Sequence, residues 1–429
     1  MATRPSDAQA TPRMTFATLL QQYASAQGFS GVVLIRRGDA TVFEGAIGLA
    51  ERAFNVPNTV ETKFEIASIS KSFVAVAALQ LASRGNLILD QKVSAYLPEL
   101  KTTSTPWADQ VTVRQLLDHT SGLPREHDFS PWERLSSVEE VRRVARLALV
   151  SAPGARTSYS NAGYVLLASV IERVAGQPYA QYLREHVLEP SALSKSGFFI
   201  GRDVVPGTAV GYRPGRRGIE STWRARHAGV YAPGGMYASA GDLVRFAASL
   251  ETGVLLRREM VDSMFALRDS AGASAGVGPL GFQLRMLNGR TYRFASGSAD
   301  GSKSVIMREP TSKLTIVILA NTGDAPVLDM LRDFLALVEG RKVSPPKACT
   351  PPMSTSWRTR LGDYDFSSTP LAKVLADSSL TLSLIDIGGH PFLGDAKEDE
   401  AQRLCADRDG WLRLAFTAQL RVQVESGVD

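Results

Sequence analysis

The sequence predicts a protein of the α/β class in the broad sense (α+β). We expect an antiparallel sheet flanked by helices, a helical lobe beside it, and a small, mostly β module at the C-terminal end. Three observations carry this. Residues 15–27 place Phe16, Leu19, Leu20 and Tyr23 on one helical face and lead into an apolar hairpin pattern. The middle of the chain holds two apolar helical runs, Phe73 to Ala82 and Val165 to Val174. After Ser304 a second hairpin pattern is followed by another amphipathic helix.

In chain order, Gly31-Val32-Val33-Leu34-Ile35 reads as a strand, Arg37-Gly38-Asp39 as a turn and Thr41-Val42-Phe43-Glu44 as the returning strand. Pro57-Asn58 breaks the chain. A buried helix of about 17 residues then starts at Ser68 and is closed by Gly85. Val111 to Leu117 opens a short helix that Ser121-Gly122-Leu123-Pro124 ends. Residues 136–149 read as a helix with Val138, Val141, Val144 and Leu147 as its stripe. Tyr159 and Asn161 stand in the loop before the helix Val165 to Val174, which Gly176 closes. Residues 232–242 form a small-residue turn into a helix over 242–250. Phe294 to Gly301 ends a strand and begins a glycine-rich turn. Ser304 to Arg308, a Glu309-Pro310 turn and Leu314 to Ala320 make the second hairpin, and Ala325 to Val338 the last helix. Residues 341–356 contain four prolines and read as a linker between a 1–340 domain and a β-rich domain at 357–429, where alternation is clear at 380–384 and 420–424.

Composition narrows the function classes. Hydrophobic content of 44% against 21% charged residues supports a real core. The net charge of +5 is dispersed, apart from Arg213-Pro214-Gly215-Arg216-Arg217 and Arg224-Ala225-Arg226, which we read as a solvated loop. No motif accompanies them, so nucleic acid is not an expected partner. Cys349 and Cys405 lack metal-ligand spacing, and the five histidines lack zinc-site spacing. No metal or organic cofactor is expected. No run of 18 apolar residues suggests a membrane span, and Met1 to Met14 has no apolar signal region. The expected location is cytoplasmic.

The chemistry gathers at Ser68-Ile69-Ser70-Lys71. Residues three apart on a helix share a face, about 5–6 Å apart at Cβ. At a helix N-terminus the dipole favours developing negative charge. A lysine in an apolar site can lose its proton near neutral pH and help to deprotonate a serine. Ser-x-x-Lys alone also fits an N-cap serine with a solvated lysine. Likewise a lone Tyr-x-Asn fits packing plus an N-cap, and His119 is read as bonding backbone at its helix end to order the loop. A rival serine, Ser274 in Gly272-Ala273-Ser274-Ala275-Gly276, matches a hydrolase turn but lacks the strand before it and the helix after it.

Four blocks occur together: Ile66 to Lys71, Leu116 to Pro124, Tyr159-Ser160-Asn161, and Gly234 to Asp242. Their order and spacing resemble the serine β-lactamase and penicillin-binding-protein superfamily, in the branch of class C β-lactamases and related esterases and peptidases. The resemblance covers roughly residues 15–340. The tail resembles the lipocalin-like modules of some members. The resemblance implies a β-lactamase/transpeptidase-like fold with the cleft between sheet and helical lobe. It makes Ser68 the acylated nucleophile, with Lys71 and Tyr159 sharing the base and proton-shuttle work. Asn161 would orient the substrate. The third motif aligns with Ala295-Ser296-Gly297, where Ser296 and Gly297 would meet substrate. The oxyanion hole would use the backbone N–H groups of Ser68 and Ser298.

Relatives place a lysine or histidine where this chain has Ala295. The nearest lysine in sequence, Lys303, lies beyond the glycine turn. This predicts that neutral esters or thioesters acylate Ser68 faster than β-lactams. The expected function is therefore acyl hydrolysis or acyl transfer on a small ester, thioester or amide, the donor free or held on a carrier protein. A D-amino-acid-specific peptidase or β-lactamase is the alternative enzyme. A non-catalytic binding protein retaining the fold is the alternative of another class.

Overall fold

The computed structural model describes most of residues 14–347, apart from 102–104, 106, 126–135, 201–202, 216–217, 223–231, 266–280 and 288, and beyond 347 only the strands. Ser274, Cys349, the side chain of Cys405 and the first 13 residues lie outside the described residues.

Six strands build the main sheet: β1 (Gly31–Arg37), β2 (Ala40–Ile47), β3 (Gln283–Leu287), β4 (Arg290–Ala299), β5 (Ser302–Glu309) and β6 (Leu314–Ala320). They lie in the order β3-β4-β5-β6-β1-β2, every pair antiparallel. The first strand is therefore seated against the last, Gly31 opposite Ala320 and Arg37 opposite Leu314. Alternation along each strand sends side chains to two faces. One face (Val33, Ile35, Val305, Met307, Ile316, Ile318) packs under α1 (Phe16–Gln27) and the last core helix, Val327–Val338. Tyr23 on α1 donates to the Asp333 carboxylate of that helix at 2.7 Å. The other face (Val32, Leu34, Ile306, Val317, Leu319) joins the core of the helical lobe.

That lobe is centred on α2 (Ser70–Ser83), in which every residue from Ser70 to Leu81 is buried. A helix apolar all round belongs in an interior. Gln80 Nε2, its long polar side chain, is satisfied by the carbonyls of His186 at 2.9 Å and Leu255 at 3.1 Å. Around it stand α3 (Val113–Leu117), α4 (Ser137–Ala145), α5 (Asn161–Ala175) and α6 (Ala240–Ser249).

Four boundaries differ from the sequence reading. The helix expected from Ser68 starts at Ser70, because Ala67–Ile69 forms a tighter 3-10 turn before it. The helix expected over 136–149 stops at Ala145. Thr105 Oγ1 and Trp107 Nε1 take the Ala145 and Leu147 carbonyls, replacing the next helical turn. The helix expected from Val165 begins at Asn161, with Ser160 as its N-cap accepting from the Gly163 N–H at 3.0 Å. The strand expected to end near Phe294 continues to Ala299, paired with β5 as far as Ser302. Its turn, Asp300-Gly301, has Gly301 at φ +79°.

In the tail, Gly362–Asp365, Thr381–Ile387, His390–Gly394, Gln402–Ala406, Leu412–Leu414 and Arg421–Val422 pair in sequential order. Each pair is antiparallel. Among the described residues no helix is long and apolar enough to cross a membrane.

Candidate active site

Ser68 sits in a turn clamped from three directions. Phe64–Glu65 pairs with Met236–Ala238, and the Ile66 N–H donates to the Met236 carbonyl at 3.0 Å. Ala67 adopts φ 45°, a conformation that costs a non-glycine residue roughly 1–2 kcal/mol. Ser70 holds that bend: its Oγ donates to the Ala67 carbonyl at 2.7 Å and accepts from the Met236 N–H at 3.3 Å. From the sheet side, Ser304 Oγ on β5 donates to the Ile66 carbonyl at 2.8 Å.

Lys71 follows one turn later and is 2% exposed. Its Nζ donates to Ser68 Oγ at 3.2 Å and to the Pro233 carbonyl at 2.9 Å. It also lies 4.7 Å from the Tyr159 ring centre and 5.6 Å from that of Tyr164. The Tyr159 hydroxyl donates to Ser68 Oγ at 2.8 Å. One serine oxygen thus receives both a phenol and an amine.

Tyr159 is aimed by the segment after α3. His119, at φ 57° and buried, stacks on the Tyr159 ring with centres 4.6 Å apart. Its Nδ1 accepts from the Ser160 N–H at 3.0 Å, and its carbonyl accepts from the Ser158 N–H at 2.7 Å. Burial, and after it the charges of Lys71 and Arg125, hold the His119 pKa down to about 3. The ring is neutral at physiological pH, accepting at Nδ1 and carrying its proton on Nε2. The sequence reading of His119 as a loop-ordering residue matches this. What that reading missed is that the ordered loop carries Tyr159.

The third wall is the edge of β4. Its pairing with β3 covers only Arg290 to Phe294, so among the described residues Ala295 to Ala299 has no strand on that side, and it packs against the Ser68 turn. Gly297 is required there. A Cβ at this position would lie 2.2 Å from the Ile66 carbonyl oxygen, 2.5 Å from Ser304 Oγ and 3.1 Å from Ala67 Cβ. Ser68, Lys71, His119, Tyr159, Ala295 and Ser296 line one cleft with the segment Gly281-Phe282-Gln283. Gly281, at φ +81°, approaches the backbone of α2 so closely that a Cβ would meet Lys71 and Ser72 atoms at 2.8 Å. Ser72 Oγ secures it through the Gly281 carbonyl at 2.9 Å. Nothing local in the sequence marks Ser70, Ser304 or Gly281, because their partners lie far away in the chain.

The remaining expected residues are spread around this centre. Ala295 is buried in the apolar core, so the place where the resemblance would put a cation is apolar here. Asn161 is the first residue of α5, its N–H donating to the Arg125 carbonyl at 2.8 Å, and it is not among the described residues lining the cleft. Ser298 is exposed one residue beyond Gly297. Lys303, which the sequence puts beyond a turn, is folded back opposite Ser298 and donates to its Oγ. Of the basic stretches read as solvated, Arg216, Arg217 and Arg224 to Arg226 lie outside the described residues, while Tyr212–Gly215 and Gly218–Ser221 form a hairpin whose base is tied to Gly301 and Asp300. Among the described residues no cluster of His, Cys, Asp or Glu could hold a metal ion.

A family model described as beta-lactamase matches residues 16–339. The chain is 28% identical over 257 residues to a Bacillus subtilis (strain 168) chain named as the penicillin-binding protein PbpX, covering 60% of this chain and 64% of that one. It is 32% identical over 282 residues to Esterase EstB of Burkholderia gladioli, covering 57% of this chain and 71% of the esterase. Among solved structures, the penicillin-binding protein from Bacillus halodurans superposes with a TM-score of 0.67 at 25% identity, over 74% of this chain and 99% of that one. The fold, the matched span and these relatives agree that the chain belongs to the beta-lactamase family.

Proposed function

We propose that the protein is a serine hydrolase or acyltransferase that works through a Ser68 acyl-enzyme on a small ester, thioester or amide. The observation that carries this is the double hydrogen bond to Ser68 Oγ, from Tyr159 at 2.8 Å and Lys71 at 3.2 Å, inside a cleft walled by Ser296. Ser68 Oγ attacks the acyl carbon and passes its proton to whichever of Lys71 and Tyr159 is unprotonated. The Ser68 and Ser298 N–H groups receive the oxyanion, and Ser296 and Gly297 align the substrate along the β4 edge. The pair returns the proton to the leaving group as its bond breaks. Water or another acceptor then repeats the sequence on the acyl-enzyme. The name of the Burkholderia relative favours esters.

The test is intact-mass detection of an acyl-enzyme across esters, thioesters and β-lactams, together with fluorophosphonate labelling. Labelling is expected at Ser68, and Ser68→Ala should cost at least ~10³-fold in kcat. Near-wild-type turnover by Ser68→Ala would end this reading. Rapid turnover of penicillin by the native protein would replace ester chemistry with lactamase chemistry.

A further inference from the structure

We propose that Arg125 is a positioning residue of the active site: its guanidinium, held over the Tyr159 ring, favours the phenolate that takes the Ser68 proton. This rests on the reading of Ser68 as nucleophile and says how its base is prepared.

Two main-chain ties place Arg125. Ser160 Oγ donates to the Pro124 carbonyl at 2.7 Å, and the Asn161 N–H donates to the Arg125 carbonyl at 2.8 Å. The Pro124-Arg125 segment is thereby stitched to the two residues that follow Tyr159. Proline fixes its own φ, so one backbone rotation of the segment is set in advance. From that seam the exposed Arg125 side chain reaches back, its guanidinium carbon 5.2 Å from the Tyr159 ring centre. An aromatic face attracts a cation within about 6 Å.

The consequence is chemical because this ring carries the hydroxyl bonded to Ser68 Oγ at 2.8 Å. As Oγ bonds to the acyl carbon, its proton crosses that contact to the phenolate oxygen, and the carbonyl electron pair moves onto the acyl oxygen. A positive charge beside a phenol favours its ionised form. Four titratable or charged groups face the ring. From α2, Lys71 Nζ lies 4.7 Å from its centre. From the segment after α3, His119 stacks on it and is neutral. From α5, Tyr164 donates to the Leu117 carbonyl at 3.0 Å, and burial, with Tyr159 and Asp118 as lesser causes, keeps it a neutral phenol. Arg125 is the fourth. The charges of Lys71 and Arg125 act together here, since both oppose protonation of His119. Their placement differs. Lys71 donates directly to Ser68 Oγ, whereas Arg125 acts on the ring and leaves that oxygen to substrate. Across the cleft, Ala295 is apolar and buried.

The test is the pH dependence of fluorophosphonate labelling at Ser68 in the full chain, between about pH 5 and pH 10. The Asn161 tie uses the Arg125 main-chain carbonyl, so substitution of the side chain leaves it in place. Arg125→Met should move the acidic limb up by about 0.5–1 pH unit. Labelling on that limb should slow about three- to tenfold, against less than about twofold at alkaline pH. Arg125→Lys, which keeps a cation, should recover at least half of the shift. A uniform loss with an unmoved limb would show that Arg125 only braces the loop, and overturns the proposal. So does an unchanged profile, or a shift that Arg125→Lys does not reduce. In each of those cases a labelled Ser68 leaves the nucleophile standing. A native protein unlabelled at Ser68 at every pH removes both readings.

Discussion

Adding one methyl group at Gly297 tests how tightly the β4 edge controls the position of Ser68. The new Cβ would sit 2.2 Å from the Ile66 carbonyl oxygen, where ordinary contact begins at 3.4 Å. The obstacle is backbone, which cannot rotate aside, so β4 and the Ser68 turn must part by about 1 Å. Ser304 Oγ, 2.5 Å from the same Cβ, must also turn away and gives up its bond to the Ile66 carbonyl. Overpacking of this kind costs about 1–3 kcal/mol, and the lost hydrogen bond roughly 1 kcal/mol more. The melting temperature should fall by roughly 5 °C or more. Activity should suffer beyond stability, since a displacement of about 1 Å can cost ~10²-fold in rate. The assay is the second-order rate of fluorophosphonate labelling of Gly297→Ala, measured well below its melting temperature and compared with wild type. Labelling within twofold of wild type would refute the claim that this contact sets the position of Ser68.

Lys71→Ala and Tyr159→Phe should each slow acylation by ~10²-fold or more, and the double variant should be little worse than the worse single one, because the two groups serve one proton transfer. Fully additive losses in single-turnover acylation would show two separate steps. His119 predicts acid lability. Its ordinary pKa is 6.5 and its folded value about 3, so between these the unfolded chain binds a proton that the fold refuses. Stability should therefore fall as pH drops through that window. His119→Asn keeps an acceptor near Nδ1 without the titration and should flatten the dependence of the urea midpoint on pH there. An unchanged slope would show that His119 is not the buried neutral base described.

The pairing of Ser68 with Lys71 was legible because it depends on three residues of helical spacing, and the placement of Tyr159 because its block sits beside a capped helix. The two hairpins and the helices that cover the sheet were legible from periodicity alone. The rest depends on partners distant in sequence. Ser304 looks like an ordinary strand residue until Ile66 is placed against it. Lys303 looks isolated beyond a turn until register returns it to Ser298. The length of β4 was misjudged for the same reason. Gly297 and Ser298 read as turn residues, and only pairing with β5 keeps them extended.

The seating of β1 against β6 has a consequence for biosynthesis. A ribosome delivers β1 roughly 280 residues before its neighbour, and contacts so far apart in sequence form late. Until Leu314–Ala320 emerges, β1 has β2 on one side and an unsatisfied edge on the other. Ser304 and Gly297, which brace the Ser68 turn, arrive in the same late stretch. A nascent chain therefore carries a complete Ser68–Lys71–Tyr159 set long before it carries the brace. A chain released before Leu314 would present an unsatisfied strand edge on β1, and a chain released before β4 would also lack the Gly297 and Ser304 contacts to the Ser68 turn.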